Sequence, residues 1–294
     1  MKIKNIPELK IALNQALIPM ILVVVIPSTF LGFVVSGSSD LIGLIFGIWI
    51  IATMDMGGNA LNNFIDWGID ERNKKRLELH RILDKKELLY LSFFLFLCSV
   101  PFLFFGNYYL KAVILVGYLV AIGYSVWLKA KDRIILNYLN IALFYGPFAF
   151  LYGYFASTGD ITNLMENIWM LIFLFLVDMG FSVTKDYEDV EGDKALNKIT
   201  MPVRFGKGNS LRYQFVVITL AFLLVVFLSF VKLINVLYLV VLPCYFVALY
   251  CLGKVKDTED KKRYHLAHNI IRVNALASRL IIAMVSCVLR TKII

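Results

Sequence analysis

Charge is what this sequence has least of. Asp, Glu, Lys and Arg make up only 17% of its 294 residues, against 60% hydrophobic residues. A soluble fold of this length could not bury that much apolar surface, so an ordinary soluble domain is excluded. Cysteine is scarce too: Cys98, Cys244, Cys251 and Cys287 all sit in apolar stretches without CxxC spacing. They are read as ordinary residues of those stretches, not as a metal centre or a disulfide pair. Low-complexity tracts and an appended soluble domain are missing, and no small-residue cleavage site follows MKIKNIPELK. The first apolar stretch is therefore read as retained.

What the sequence has instead is a succession of apolar runs of about 20 residues, the length of one bilayer crossing. The expected fold is an all-α integral membrane protein, residues 1–294 forming a single polytopic domain with nine transmembrane helices around a central cavity. The spans are expected near 12–36, 41–65, 88–106, 110–128, 135–156, 166–185, 212–231, 234–253 and 268–289. They should be helices because lipid offers no partner to a free N–H or C=O. Pro27, Pro101, Pro147 and Pro243 lie within or near spans, where neighbouring helices can satisfy the groups they release.

The basic residues report orientation. A net charge of +9 could suggest nucleic acid, but the Lys and Arg are interleaved with the spans and not gathered on one domain. With the N-terminus in the cytosol, the inner segments collect nearly all of them, including 72–86, 129–133, 185–212 and 254–272. Outer segments hold only Lys111, Lys232, Arg290 and Lys292. This asymmetry fits an odd number of spans and a cytosolic N-terminus. Nucleic acid is not an expected partner, and the cell membrane is the expected location.

Two inner loops carry acids in rows. The second span ends in NNFIDWGIDERNKKR, where Asn62, Asp66 and Asp70 are spaced i, i+4, i+8, on one helical face. The sixth ends in TKDYEDVEGDK, with Asp186, Asp189 and Asp193 at i, i+3, i+7. Both spans run inward, so both rows emerge on the same side. Mg²⁺ takes hard oxygen ligands and binds through a few carboxylates together with substrate phosphate oxygens. Two facing rows flanked by basic residues suit a Mg²⁺-bound diphosphate better than two solvated helix ends. Asp55 and Asp178 lie deeper on the same two spans, where a carboxylate needs a polar cavity or a partner. They are expected either to line the cavity near the acceptor or to form a structural pair with Arg279 or nearby polar groups.

NxxxDxxxD after one span and DxxxD followed by EGDK after another resemble the two signature motifs of the UbiA superfamily of membrane prenyltransferases. KDYEDVEGDKALNKITMPVRFG is similar over its length to the second motif and the segment after it, with Met201, Pro202, Val203 and Gly206 in that segment. YSVWLK, with Tyr124 and Lys129, is similar to a third element of the family. The Pro-containing HRPL stretch of the family is represented here by His80, Arg81, Ile82 and Leu83. The resemblance implies transfer of an isoprenyl group from an allylic diphosphate, for example geranylgeranyl diphosphate, to a lipophilic acceptor at the cytosolic face. It implies Asn62, Asp66, Asp70, Asp186, Asp189 and Asp193 as Mg²⁺ ligands, and Lys129, Arg72 and Lys185 as diphosphate contacts. Tyr124 would stabilise the allylic cation or bond the diphosphate. His80, His265 and His268 are not needed as bases, since released pyrophosphate or a carboxylate can take the proton.

The second motif is most similar to that of archaeal digeranylgeranylglyceryl phosphate synthases and chlorophyll synthase-like members, which implies a glycerol phosphate ether lipid as acceptor. Aromatic acceptors of quinone pathways are the alternative. Outside prenyl transfer, a CDP-alcohol phosphotransferase would need a DGxxAR run, which this sequence lacks. An ion-coupled transporter would use Asp55 and Asp178 at the midplane.

Overall fold

The computed structural model describes residues 6–12, 21–72, 76–188, 190–195, 198–256, 258 and 260–291. Among them every regular element is helical. The chain begins with α1 (Ile6–Ala12), α2 (Ile26–Ser36), the long α3 (Leu41–Arg72), a short α4 (Leu77–Ile82) and α5 (Lys85–Leu97). It continues through α6 (Phe102–Phe105), α7 (Tyr108–Ser125), α8 (Ile134–Leu143), α9 (Ala149–Ser157) and α10 (Thr162–Glu166). α11 (Ile168–Phe181), α12 (Val190–Ala195), α13 (Met201–Phe230), α14 (Leu242–Lys256) and α15 (Lys261–Thr291) complete it.

Eight helical stretches of the described residues are long and apolar enough to cross a membrane, and Val23–Ser36 is a shorter apolar helix. The expectation from sequence is nine spans. Its first, 12–36, falls in part on residues 13–20, outside the described residues. Two other boundaries move. α13 begins at Met201 and not near 212, because Pro202 sits in the first turn, where its missing N–H costs nothing. α15 begins at Lys261 and not near 268. Both extensions carry charge, Arg204 and Lys207 in one and Lys261, Lys262 and Arg263 in the other, so hydropathy cannot see them.

α9 lies at the heart of the bundle, with Phe150, Tyr152 and Tyr154 wholly buried. Glycines let it sit there. A Cβ added at Gly32 of α2 would collide with the Phe150 carbonyl, and one at Gly153 would collide with the carbonyl of Thr29. Backbone-to-backbone packing of this kind is how helices gain contact where lipid supplies no hydrophobic drive. Large apolar side chains point outward instead, among them Phe94, Phe104, Phe105, Leu119, Phe227 and Phe230. So much exposed apolar surface is tolerable only against lipid or a partner.

Side-chain contacts define two ends. At one, Lys131 reaches Asp66, Tyr138 reaches Asp186, and Lys207 bonds the Thr258 carbonyl. At the other, Asn107 bonds the Phe155 and Thr158 carbonyls, Asn163 bonds Ser36, and Arg290 bonds the Val35 carbonyl. Both acid-bearing segments lie at the first end.

Candidate active site

The first acidic row is a property of one uninterrupted helix. α3 runs from Leu41 to Arg72, so Asn62, Asp66 and Asp70 stack along one face on its last turns. Each has a partner. The Lys131 ammonium sits 2.6 Å from Asp66 Oδ1 and 3.1 Å from Asn62 Oδ1. Ser125 also donates to Asn62 Oδ1, at 3.1 Å, and Arg76 donates to Asp70 Oδ2 at 2.8 Å. Asp66 and Asp70 are buried. An amide oxygen and a carboxylate oxygen already converge on one cation at Lys131, and hard oxygens so placed suit a divalent ion such as Mg²⁺. Among the described residues, no three His, Cys, Asp or Glu side chains converge closely enough to cage a metal alone.

The second acidic row is built differently from its spacing. A single helix was expected to carry Asp186, Asp189 and Asp193. Instead α11 ends at Phe181, tightens into a 3₁₀ segment over Ser182–Asp186, and gives way to the separate helix α12. Asp186 therefore closes one element and Asp193 belongs to another; both are buried. Asp189 lies outside the described residues.

The segment is braced from α13. Tyr138 donates to Asp186 Oδ2 at 2.6 Å and accepts from the Met201 N–H at 2.9 Å, tying the MPV segment to the acid. Gln214 donates to the Gly180 carbonyl and the Thr184 hydroxyl, and accepts from Tyr187 at 2.7 Å. Burial, with Asp186 nearby, pushes the Tyr187 hydroxyl well above its ordinary range, so it stays a donor to Gln214. Gly206, at φ 77° and ψ 161°, breaks the helical path just after the MPV segment, a conformation glycine adopts without strain. Lys185 bonds Asp186 Oδ1 at 2.7 Å.

Beside the two rows lies a cavity of about 240 Å³. Asn62 lines it from the first row and Lys185 from beside the second, with Tyr124 also on its wall. The Tyr124 hydroxyl donates to Asn137 at 3.1 Å. Further along, the walls carry Asp55, Tyr145, Asp178, His268 and Arg272. Tyr145 belongs to a π-helical segment, Phe144–Phe148, that contains Pro147. Such bulges re-aim side chains and recur at functional sites. Asp178 is occupied: both its oxygens accept from Arg279 Nη2 at 2.6 Å, and Arg279 Nε donates to Ser28 at 2.6 Å.

The structure thus brings Asn62, Tyr124, Lys185, Asp55 and Asp178 to one cavity. Lys129, the cation expected there, is instead exposed at φ 45°, and Lys131 reaches the acids. The side chain of Arg72 lies outside the described residues, and Arg76 holds Asp70. Sequence reasoning missed Lys131, Arg76, Tyr138, Tyr145 and Arg272 as site residues. It had counted Arg272 among the basic loop residues, whereas α15 carries it along the cavity wall. A four-residue spacing from His268 was the one visible sign.

Residues 24–271 match the UbiA prenyltransferase family. A digeranylgeranylglyceryl phosphate synthase of Thermococcus kodakarensis is 30% identical over 221 residues, 74% of this chain and 76% of that protein. A UbiA homologue from Aeropyrum pernix K1 superposes with a TM-score of 0.72 at 18% identity, covering 92% of this chain and 97% of its own. One from Archaeoglobus fulgidus, bound to GPP and Mg²⁺, gives 0.67 at 15% identity, covering 92% and 99%. These two share the fold.

Proposed function

The chain belongs to the UbiA prenyltransferase family, and from that premise we propose Mg²⁺-dependent transfer of a geranylgeranyl group from its diphosphate to a lipid acceptor inside the membrane. The observation that carries the reading is Lys131, one cation shared by Asn62 and Asp66, with Asn62 and, from beside the other row, Lys185 lining one cavity. The acceptor is geranylgeranylglyceryl phosphate. One geranylgeranyl group added to it gives the product for which the Thermococcus relative is named. The archaeal homologue bound to GPP and Mg²⁺ supports the donor class and the ion.

In this reading Asn62, Asp66, Asp70, Asp186, Asp189 and Asp193 would hold Mg²⁺. Bound there, Mg²⁺ would neutralise charge developing on the departing diphosphate. Lys131, Lys185 and Arg76 stand beside the same acids and take the diphosphate oxygens; Lys129 and Arg72 serve its approach from the aqueous side. The allylic C1–O bond breaks with its electron pair going to the diphosphate. Tyr124 steadies the positive carbon through its ring. Asp55 and Asp178 line the acceptor end. The chain crosses the membrane nine times, with its N-terminus and both acidic rows in the cytosol.

Purified protein given labelled geranylgeranyl diphosphate and geranylgeranylglyceryl phosphate should form the digeranylgeranylated lipid. Chelation should stop the reaction, and added Mg²⁺ should restore it. Asp66→Ala should cut turnover by about 10²-fold or more with the fold retained. Wild-type turnover in that variant refutes the metal assignment, and product from an aromatic acceptor alone refutes the lipid one.

A further inference from the structure

α15 places two arginines on one face seven residues apart, and the fold treats them oppositely. Arg279 is 0% exposed and fully engaged: Nη1 on the Ala275 carbonyl, Nη2 on both Asp178 oxygens, Nε on Ser28. That ion pair is closed, with four of the five guanidinium N–H donors engaged.

Arg272 has the same neighbours in kind but not in arrangement. Asp55 lines the same cavity, 5% exposed and hydrogen-bonded to Tyr145, while its Oδ2 has no partner. Arg272 Nε is buried with no partner, and so is Nδ1 of His268, which is 9% exposed and one turn away on α15. Tyr145 is close enough to feel the charge of both Asp55 and Arg272. A buried carboxylate and a buried guanidinium are each costly unless paired and hydrogen-bonded. Here neither is paired with the other, and the residues that carry these unpartnered atoms line one cavity. Such an arrangement fits a ligand that carries an anionic group and a hydroxyl a few atoms apart.

Resting on the prenyl-transfer reading, we propose that Arg272 and His268 bind the phosphate monoester of the acceptor while Asp55 receives its nucleophilic hydroxyl. Asp55 lies seven residues before Asn62 on α3, a rise of about 10 Å, so it stands deeper than the acidic mouth, toward the C1 end of a diphosphate held there. The step balances without further reactants. A lone pair of the hydroxyl oxygen forms the bond to C1 as the C1–O bond to diphosphate breaks. The hydroxyl proton passes to Asp55 Oδ2. Arg272 and Asp55 are thereby specificity-determining and catalytic residues, and His268 supports the anion from the same helix face.

The experiment measures binding as well as turnover, using purified protein in detergent. Calorimetric titration of geranylgeranylglyceryl phosphate, without diphosphate or Mg²⁺, should show Arg272→Gln binding about 10–100-fold more weakly. The dephosphorylated lipid should bind wild type that weakly already, and Arg272→Gln should change it little. Arg272→Lys, which keeps the charge without the planar fork, should fall between. Asp55→Asn should lower kcat while leaving acceptor binding within a few-fold. Affinity for geranylgeranyl diphosphate with Mg²⁺ should be unchanged in all three.

Equal losses for phosphorylated and dephosphorylated lipid, or a matching loss of diphosphate affinity, would overturn the proposal. So would dependence on Arg272 of an aromatic carboxylate acceptor alone. If Arg272→Gln does not fold, unchanged phosphate preference in a folded Arg272→Lys with full affinity overturns it equally. Wild type that binds no geranylgeranyl diphosphate would sink the prenyl-transfer reading itself, a distinct result.

Discussion

Lys129 and Lys131 differ by two positions and by where the backbone sends them. Lys129 takes a left-handed conformation, φ 45° and ψ 45°, at the start of a 3₁₀ turn spanning Ala130–Asp132. That turn buries Ala130 and swings Lys131 onto Asn62 and Asp66, with its side chain only 13% exposed. YSVWLK marks the neighbourhood of a basic residue, but choosing between the two lysines requires the sign of φ at Lys129, which spacing does not carry. A non-glycine residue at positive φ pays for that conformation in strain, and persists where its surroundings fix it. Lys131→Ala should lower kcat/KM by about 10²-fold, because it removes a preorganised cation from the leaving-group site. Lys129→Ala should cost several-fold at most. Parallel kinetics of the two purified variants decide the order, and a larger loss for Lys129→Ala would return the principal role to Lys129.

At the scale of elements, the long apolar helices were legible and the irregular pieces between them were not. The face of Asn62, Asp66 and Asp70 could be read because α3 is regular. The 3₁₀ and π segments at Ser182–Asp186 and Phe144–Phe148 depend on tertiary brackets such as Gln214 and Tyr138, which no local pattern announces. α4 is the other piece hidden from hydropathy. It closes over the end of α3 through Leu79, Ile82 and Leu83, which cluster with Ala12 and Leu88 and pack on Trp67. His80 stacks on Trp67 at 3.8 Å and 17°, with neither ring nitrogen hydrogen-bonded. Burial lowers its pKa below the ordinary 6.5, against the opposing pull of Asp70 and Glu71 and with help from Arg76. The folded protein therefore prefers neutral His80. Its contribution is complete above pH 6.5 and is lost as pH falls through the depressed folded value. His80→Phe keeps the stack without the titration. The gap in melting temperature between wild type and His80→Phe should be constant from pH 8 to 6.5 and shift against wild type below it. A gap independent of pH would remove His80 as the cause.

For the whole molecule, one asymmetry organises everything else. The end that holds Asp66, Asp70, Asp186 and Asp193 also gathers Lys131, Arg76, Lys185 and Lys207, while the opposite end is tied by Asn107, Asn163 and Arg290. Lys and Arg flanking spans are retained on the cytosolic side, so the basic end should face inward. That orientation also presents the acidic mouth to the compartment that supplies a water-soluble diphosphate, while the exposed apolar belt leaves the acceptor free to enter from lipid. Site-directed labelling separates the two orientations. With the four native cysteines replaced, Ile199→Cys probes the acidic end and Asp160→Cys the other; both positions are exposed. In right-side-out vesicles a membrane-impermeant maleimide should label the Asp160→Cys protein and spare the Ile199→Cys protein until the membrane is permeabilised. Inside-out vesicles should reverse the pattern. Labelling of Ile199→Cys from outside intact vesicles would invert the topology, and with it the side from which the diphosphate must arrive.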